Sequence, residues 1–531
     1  MTLRGGTGRD IDSLDGVRLD GPTFYEHVSG LLGSATRGPL PRGGEPLPDE
    51  PPPDPSRLRW GGGSLDGLMA VRGGRSVGNE PLAAAAAVLE YLRSTPTPQG
   101  LRSVAETVTQ VTDPQAIDRF VGAVASGGIR RGGRARDLAR WLCVQGVRRE
   151  QVKVGLALLG IVGSEEDVDL ATHLGMLEEL TLYAAVALKN LLKNPDKALL
   201  NLADQVMGWG RLHCIHRLRE STDPEVKRWL LYGGYDNGVM VEEIAYIAAT
   251  AGELRRALED DPTDDLLDHA GALLAALATG GPAEDMRHYD DGNPAMTTFL
   301  DRMRHAPATL TRLGHLRVLD QYLAKQVDDN PNIDKLARPR LHAAIAEVLS
   351  RPEWTTVAEA ALHSDDLQQV KSAITLVPRF GIDPIPTVRR WLPRAPHDGY
   401  LWQTLLYATD DVEEIRRLVT QAQDLLPLSA LPTRAADDLG IGPGHEAGHC
   451  LELMLQRLRD FPGEGEEAIR VGLKSPVTRC RNMALRAIEA WPPSSRPDDL
   501  VSLLRTMAWT DPNPGVKKRA RQIAAGLSGT P

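Results

Sequence analysis

The sequence is poor in cysteine and in aromatic residues. Phenylalanine, tyrosine and tryptophan together make up 5% of the 531 residues, a proportion that favours helices over β-sandwiches and barrels. Four cysteines occur far apart and without a CxxC pair, namely Cys143, Cys214, Cys450 and Cys480. This usage excludes a disulfide framework and a zinc ribbon, and it favours a reducing compartment.

Long apolar runs and an excess of positive charge are also missing. No run reaches the roughly 18 apolar residues that a membrane-spanning helix needs, and the N-terminal segment lacks the apolar core of a secretory signal. The formal net charge of −10 argues against nucleic acid as the partner of the whole surface. We therefore expect a cytoplasmic protein with no membrane partner.

The first 78 residues differ in composition from the rest. Eight prolines lie between Pro39 and Pro55, with glycines and acidic residues among them. Such a segment buries too little apolar surface to order itself. We predict that residues 1–78 form a largely flexible leader, with one ordered piece around Phe24 to Leu32, and that residues 79–531 form the folded part.

From Glu80 onward the apolar residues follow a helical period. Segments of about 12–18 residues carry apolar side chains at i, i+3, i+4 and i+7, and short glycine, proline or aspartate turns separate them. Pro81, for example, begins an alanine-rich segment that ends before the prolines Pro96 and Pro98. Strand-like alternation is nearly absent. The predicted fold class is therefore all-α.

Four of these segments share a local signature. Each has a polar or proline turn, usually followed by an inward valine, a nearby basic residue and then small or branched apolar residues; they begin at Asp223, Asp365, Ser475 and Asp511. The signature resembles that of the HEAT-repeat family, which combines an Asp-Pro turn and a Val-Arg pair with an Ala/Leu-rich second helix. The resemblance implies an α-solenoid of antiparallel helix pairs over residues 79–531 that offers a long surface to a partner.

One motif points to metal chemistry, the HExxH pentapeptide from His445 to His449. On a helix, residues four apart project together, so the two imidazoles could chelate one Zn²⁺, and Glu452 on the same stripe could add a third ligand. The pentapeptide resembles that of the zincin metalloproteases. That resemblance implies that His445 and His449 are ligands and that Glu446 is the general base.

The zincin pattern is incomplete in this chain. Zincins place the motif beside a sheet whose edge strand binds substrate, and no strand pattern lies near His445. The second motif that carries their third ligand is also missing. A zinc-dependent hydrolase therefore stands as the alternative to a non-catalytic scaffold without a cofactor.

A basic cluster provides the candidate contacts to a partner. It comprises Arg130, Arg131, Arg134 and Arg136 and continues to Arg140. Arginines this dense could neutralise phosphates, but no aromatic residues lie between them to stack on bases. The overall acidity also opposes nucleic acid, so we expect either a solvated basic ridge or a site for an acidic protein partner instead.

Two smaller clusters have structural explanations. His213 and His216 have no second pair of ligands and are expected to pack at a helix interface. The acidic run at Asp260–Asp268 resembles the diphosphate-binding motif of isoprenoid synthases but has no opposing acidic motif, and Asp264 is expected to cap a helix. The sequence as a whole predicts a non-catalytic scaffold that binds another macromolecule, most plainly a protein.

Overall fold

The computed structural model describes residues 14, 16–33, 38–52, 54, 56–72, 78–129, 131–260, 262–325, 330–428, 431, 434–496 and 499–528. In these residues the chain forms 28 α-helices and no strand, with one isolated bridge between Asp438 and Val477. The predicted all-α class is confirmed. No helix in these ranges is both long enough and apolar enough to cross a membrane.

The helices group into two compact units, residues 1–51, 60–307 and 315–350 in the first and 52–59, 308–314 and 351–531 in the second. The first unit contains α1 Phe24–Leu32, α2 Ser64–Arg72, α3 Glu80–Arg93, α4 Pro98–Thr107, α5 Pro114–Ser126, α6 Gly133–Gln145, α7 Arg149–Val162, α8 Val168–Gly175, α9 Glu178–Leu191, α10 Asp196–Asp204, α11 Gly208–Arg217, α12 Pro224–Trp229, α13 Ala245–Ala251, α14 Leu254–Glu259, α15 Asp264–Thr279, α16 Gly292–Met303 and α18 Ala337–Leu349. The residues of α17 Leu310–Ala324 divide between the units. The second unit contains α19 Pro352–Leu362, α20 Leu367–Leu376, α21 Ile385–Trp391, α22 Gly399–Tyr407, α23 Val412–Leu425, α24 Glu446–Leu458, α25 Glu466–Lys474, α26 Thr478–Ala490, α27 Leu500–Thr510 and α28 Pro514–Ser528.

Each helix packs chiefly against its neighbours in sequence. In the first unit α6 packs on α7, α7 on α9 and α9 on α11. In the second unit α25 packs on α26 and α27 on α28, while α22, α24, α26 and α28 pack on one another in that order. Because each helix pair buries its apolar side against the next pair, this is the packing of an α-solenoid.

The second unit therefore has two layers of helices. We call α21, α23, α25 and α27 the first-helix layer, and α22, α24, α26 and α28 the second-helix layer. The predicted core residues Ile374 and Leu485 are 4% and 0% exposed in this unit, and Leu158 and Leu188 are 2% and 0% exposed in the first. The apolar period of the sequence therefore identified the buried side of the helices correctly.

A forward ion pair recurs between successive repeats. In each case a basic residue on a helix binds an acidic residue that lies one repeat further along the chain. The pairs and their distances are Arg136–Asp167 at 2.7 Å, Lys227–Glu253 at 2.5 Å, Lys371–Asp398 at 2.9 Å and Arg481–Asp511 at 2.8 Å. Lys227 and Lys371 are the basic residues of two of the four signature segments, so in those two the signature joins one repeat to the next.

Part of the leader belongs to the first unit, which includes residues up to 51 and from 60 onward. Phe24 and Val28 of α1 are fully buried, and the indole N–H of Trp141 donates to the carbonyl of Val17 at 2.9 Å. Helix α1 coincides with the ordered piece expected around Phe24. The division into a largely flexible leader over residues 1–78 and a folded part over residues 79–531 stays a prediction.

Ion pairs also join residues of the leader to α7. Asp49, from the proline-rich segment, accepts from Arg149 of α7 at 2.8 Å, and Asp66 of α2 accepts from Lys153 of α7 at 2.7 Å. Lys153 is buried and Arg149 is partly exposed. Composition alone carries no information about such partners.

Candidate functional sites

The HExxH motif lies at the start of a helix rather than within one. Helix α24 begins at Glu446, so His445 occupies the N-cap position and precedes the first helical residue. The His445 Nε2 atom lies 3.9 Å from Asp438 Oδ2. The predicted geometry requires both imidazoles to project from successive turns of one helix, and only His449 is inside the helix.

The proposed third ligand is already engaged by a cation. Glu452 Oε1 lies 2.7 Å from Arg479 of α26, and Glu452 Oε2 lies 4.0 Å from His449 Nδ1. In the portion of the chain that the structure describes, no group of three or more His, Cys, Asp or Glu side chains is arranged to hold a metal ion. The three predicted ligands are therefore near one another in sequence without forming a ligand set.

Glu446 also lacks the electrostatic environment of a general base. Backbone N–H groups at the start of α24, its own and that of Gly444, hold the pKa of the exposed Glu446 carboxyl below its usual value. A general base that works near neutral pH benefits from a pKa raised toward the operating pH. The helix N-terminus stabilises the carboxylate and shifts the pKa in the opposite direction.

Most of the predicted basic cluster is used inside the fold. Arg134 donates to the backbone carbonyl of Tyr91 at 3.0 Å, and Arg136 binds Asp167 at 2.7 Å and Glu166 at 2.9 Å. Arg140 also binds Asp167. Arg131 is exposed, and Arg130 lies outside the described residues. The structure thus assigns intramolecular partners to Arg134 and Arg136, two of the four arginines expected to contact another protein.

Asp167 explains why Arg136 and Arg140 lie together. Its side chain is 0% exposed, and its carboxylate also accepts the backbone N–H of Ser164 at 2.9 Å. Burial raises the pKa of Asp167, but the hydrogen bonds from Arg136, Ser164 and Arg140 outweigh it, and the pKa lies below its usual value. A buried carboxylate of this kind needs paired cations, so these arginines stabilise a turn.

His213 and His216 lie at helix interfaces, as expected. Burial lowers the pKa of His213 to about 3 and that of His216 to about 4, and the Nε2 atom of His213 is 3.4 Å from the carbonyl of Gly63. The expected cap of α15 differs by one residue: Thr263, not Asp264, accepts the backbone N–H of Leu266, at 3.2 Å. Asp261 lies outside the described residues.

All four cysteines are free and buried. Burial raises the pKa of Cys214, Cys450 and Cys480 to about 12 and raises that of Cys143 further. The thiolate is the nucleophilic and metal-binding form of cysteine. These thiols therefore act as small apolar core groups.

Four arginines of the first-helix layer of the second unit are neutralised by acidic residues. These acids lie on the same or the next repeat, and the contacts run along the layer. They are Arg389–Glu414 at 2.6 Å, Arg417–Glu414 at 3.0 Å, Arg416–Glu464 at 2.6 Å and Arg470–Asp499 at 2.5 Å. Guanidinium groups held in this way offer little unpaired charge to another molecule.

The second-helix layer differs, because two of its arginines carry unpaired charge. Arg459 follows the last residue of α24, Arg486 lies on α26, and Arg519 lies on α28; we call these three the arginine surface. Arg459 and Arg486 are exposed, and neither has a hydrogen bond or an ion pair within the described ranges. Arg519 pairs with Glu489.

Two adjoining clefts open beside the arginine surface, and Arg459 and Arg486 line both. The smaller cleft has a volume of about 150 Å³ and is also lined by Tyr407, Gln456, Asp460 and Met483. The larger, of about 300 Å³, is also lined by Glu489, Ala490 and Arg519. Tyr407 is 49% exposed. The clefts thus combine cations with an aromatic and a thioether side chain.

The buried side chain of Arg457 contacts residues next to the arginine surface. Arg457 donates to the carbonyl of Leu406, in the last turn of α22, at 3.0 Å and to that of Thr409, just after it, at 2.8 Å. It also binds Asp410 and Asp460, the latter at 3.0 Å. Its guanidinium lies 5.4 Å from the ring centroid of Tyr407. Arg457 therefore positions Tyr407 and gives Asp460 a cationic partner other than Arg459.

Sequence reasoning missed the arginine surface. The three arginines are about one repeat apart and form no cluster along the chain, unlike the dense run at Arg130–Arg136 from which the partner-binding residues were predicted. The signal that could have found them is a basic residue on the outer side of successive second helices. Whether such a residue is unpaired depends on acidic residues of other repeats.

No protein family model matches the chain, and no curated protein matches its sequence. Among solved structures it is similar to one described as a circular tandem repeat protein with novel repeat topology and enhanced subunit contact surfaces. The similarity is 14% in identity, covers 85% of this chain and 95% of that chain, and has a TM-score of 0.12. That score carries no argument about this protein. The stacked helix pairs by themselves define a helical repeat protein.

Proposed function

We propose that this helical repeat protein is a non-catalytic, cytoplasmic scaffold that binds a protein partner through the second-helix layer of its second unit. Its repeats are of the HEAT-like type, as the forward ion pairs from Lys227 and Lys371 support. The observation that carries the proposal is the contrast between the two layers. Four arginines of the first-helix layer pair with acidic residues, whereas Arg459 and Arg486 are exposed and unpaired among the described residues.

Unpaired arginines beside an aromatic residue are typical of a recognition surface. A guanidinium group presents five N–H donors in a rigid plane and is weakly hydrated, so it binds a partner at a low desolvation cost. Arginine, tyrosine and methionine are all enriched in protein interfaces. Arg459, Arg486, Tyr407 and Met483 supply this combination around one cleft.

The test compares affinity capture by matched charge reversals. The double variant Arg459→Glu/Arg486→Glu is expected to lower recovery of the specific partner from native cell extract by about tenfold or more, because truncating a hot-spot arginine costs about 2 kcal/mol or more. Lys474→Glu is the control, since Lys474 is an exposed cation on the first-helix layer. Quantitative mass spectrometry of the captured proteins checks the result. Partners recovered equally by all variants would contradict the proposal.

The zinc-hydrolase alternative makes a separate prediction. A site at His445 and His449 would hold about one equivalent of zinc, which His449→Ala would remove without changing the helix content. The scaffold proposal expects the same metal content in the wild type and in the variant. Elemental analysis of the two purified proteins decides between them, and stoichiometric zinc that disappears in His449→Ala would favour the hydrolase.

A further inference from the structure

We propose that the arginine surface binds an extended acidic peptide segment of the partner, with carboxylates on Arg459 and Arg486 and an apolar side chain against Tyr407 and Met483. This inference rests on the proposed function and names the chemistry of the partner at the same surface. It rests on one cleft that is lined by two unpaired guanidinium groups and, beside them, by the ring of Tyr407 and the thioether side chain of Met483.

Charge complementarity identifies the occupant as an anion. The acids that line the two clefts already have cationic partners: Asp460 pairs with Arg457 at 3.0 Å, which also binds Asp410, and Glu489 pairs with Arg519. The charges of Arg459 and Arg486 therefore remain available on a chain whose formal net charge is −10. Guanidinium and carboxylate groups pair through two parallel hydrogen bonds, so each arginine suits one carboxylate.

Geometry favours an extended peptide. Arg486 lies on α26 and Arg459 directly after α24, and packed helices are about 8–10 Å apart. Both side chains line the same two clefts, so one short segment of a partner can reach both. In an extended chain, alternate side chains lie on one side about 6.5–7 Å apart. Acidic residues at positions i and i+2 of the partner therefore match the two arginines.

The same surface is a poor match for nucleic acid. A nucleic-acid backbone needs a continuous row of cations, whereas this surface has two arginines that are unpaired within the described residues. The clefts, of about 150 and 300 Å³, accommodate single side chains. Met483 and Tyr407 in addition offer an apolar contact that a phosphate chain does not use. An acidic peptide satisfies both the charge and the apolar wall.

The experiment measures fluorescence anisotropy of a labelled probe peptide on the full chain. The probe has two glutamates two residues apart followed by a leucine, and its control replaces both glutamates by glutamine. We expect the acidic peptide to bind at least about tenfold more tightly than the glutamine peptide, since charge-assisted hydrogen bonds are the stronger ones. Affinity is expected to fall as salt is raised from 50 to 500 mM, because these charges are exposed.

Variants assign the binding to the arginine surface. Arg459→Glu and Arg486→Glu are each expected to weaken the acidic peptide by about tenfold or more, whereas Lys474→Glu leaves it within about twofold. Arg486→Lys is expected to retain part of the affinity, because lysine keeps the charge and loses the planar fork. Circular dichroism confirms that each variant is folded.

Three results would overturn the inference: equal binding of the two peptides, unchanged binding in both arginine variants, or tighter binding of a 20-base-pair duplex DNA through the same arginines. Failure of the inference and failure of the proposed function remain distinguishable. If partner capture depends on Arg459 and Arg486 but the acidic peptide does not bind, the scaffold proposal stands and the acidic partner is wrong. If the peptide binds but capture is independent of these arginines, the protein-binding role assigned to this surface is wrong.

Discussion

Lys153→Met is expected to lower the free energy of unfolding of the first unit by about 3–5 kcal/mol, because it leaves the buried Asp66 carboxylate without a cation and leaves Glu179 only the longer contact to Arg149, at 3.4 Å. Lys153 Nζ lies 2.7 Å from Asp66 Oδ2 and 2.6 Å from Glu179 Oε1. The Lys153 side chain is 3% exposed and that of Asp66 is 6% exposed. Water therefore cannot replace the missing ammonium group.

The charges of this cluster depend on one another. Burial lowers the pKa of Lys153, but attraction by Glu179 and Asp66 outweighs burial, and the pKa lies above its usual value. Burial raises the pKa of Asp66, and attraction by Lys153 opposes that shift. Tyr183 also donates to Asp66 Oδ2, at 2.9 Å. Without Lys153, two carboxylates that face the same point repel each other, and one of them is expected to take up a proton.

Hydrogen exchange measured by mass spectrometry localises the effect to peptides of α7 and α9. The loss of unfolding free energy caused by Lys153→Met is expected to be smaller at pH 5 than at pH 8. At the lower pH, a carboxyl whose pKa is raised in the folded state takes up a proton, which removes part of the repulsion. The triple variant Lys153→Met/Asp66→Asn/Glu179→Gln is expected to recover part of the loss. Lys193→Met, which changes an exposed lysine, serves as the control. If the free energy of opening of α7 and α9 in Lys153→Met lies within about 0.5 kcal/mol of that in the control variant, the role assigned to Lys153 is wrong.

Lowering the pH from 7 to 4 is expected to destabilise the first unit through His213 and His216, by on the order of 2–3 kcal/mol for each histidine. Burial lowers their folded-state pKa values to about 3 and about 4. The unfolded chain binds a proton at each histidine below about pH 6.5, whereas the folded chain does not until about pH 4 or below. The stability that the two neutral histidines contribute is therefore fully present above about pH 6.5, and it is lost as the pH falls toward 4.

Glu178 acts in the opposite direction in part of this range. Burial, with repulsion from Glu45, raises the pKa of Glu178 to about 7. The folded state therefore keeps a proton between about pH 7 and 4.5 that the unfolded state has released, and this contribution strengthens as the pH falls. Glu178→Gln removes it, so the acid loss in that variant is expected to be steeper than in the wild type.

Urea unfolding at pH 7, 6, 5 and 4 measures the acid loss in each variant. His213→Gln and His216→Gln are each expected to flatten the pH dependence, whatever their effect at pH 7, because glutamine does not titrate. His305→Gln is the control, since His305 is an exposed residue of the same unit. If neither buried-histidine variant flattens the curve relative to this control, the acid loss has another origin.

Much of the fold was predictable from local patterns. The apolar period predicted an all-α chain, and Ile374 and Leu485 are buried as expected. The basic residues that follow the valines of the repeat signature could be located as well, since Lys227 and Lys371 belong to it. A helical period and a turn residue are properties of short segments, so they are visible without the rest of the chain.

The functional interpretation of individual residues depended on contacts between repeats. Arg136 looked free in the sequence and binds Asp167, and Glu452 looked like a metal ligand and binds Arg479. His445 looked helical, and α24 begins one residue after it. Each outcome depends on a neighbour that lies far away in sequence or on the residue at which a helix begins.

The sequence by itself determined the helices, their buried sides and the repeat of their turns, because apolar period and capping act over a few residues. Only the tertiary structure decided which charges are neutralised, because an ion pair forms where separate helices bring two side chains within about 4 Å. In the sequence, nothing distinguishes Arg416 from Arg459, and in the structure both side chains are exposed. One binds Glu464 at 2.6 Å, and the other remains unpaired within the described residues, beside Tyr407.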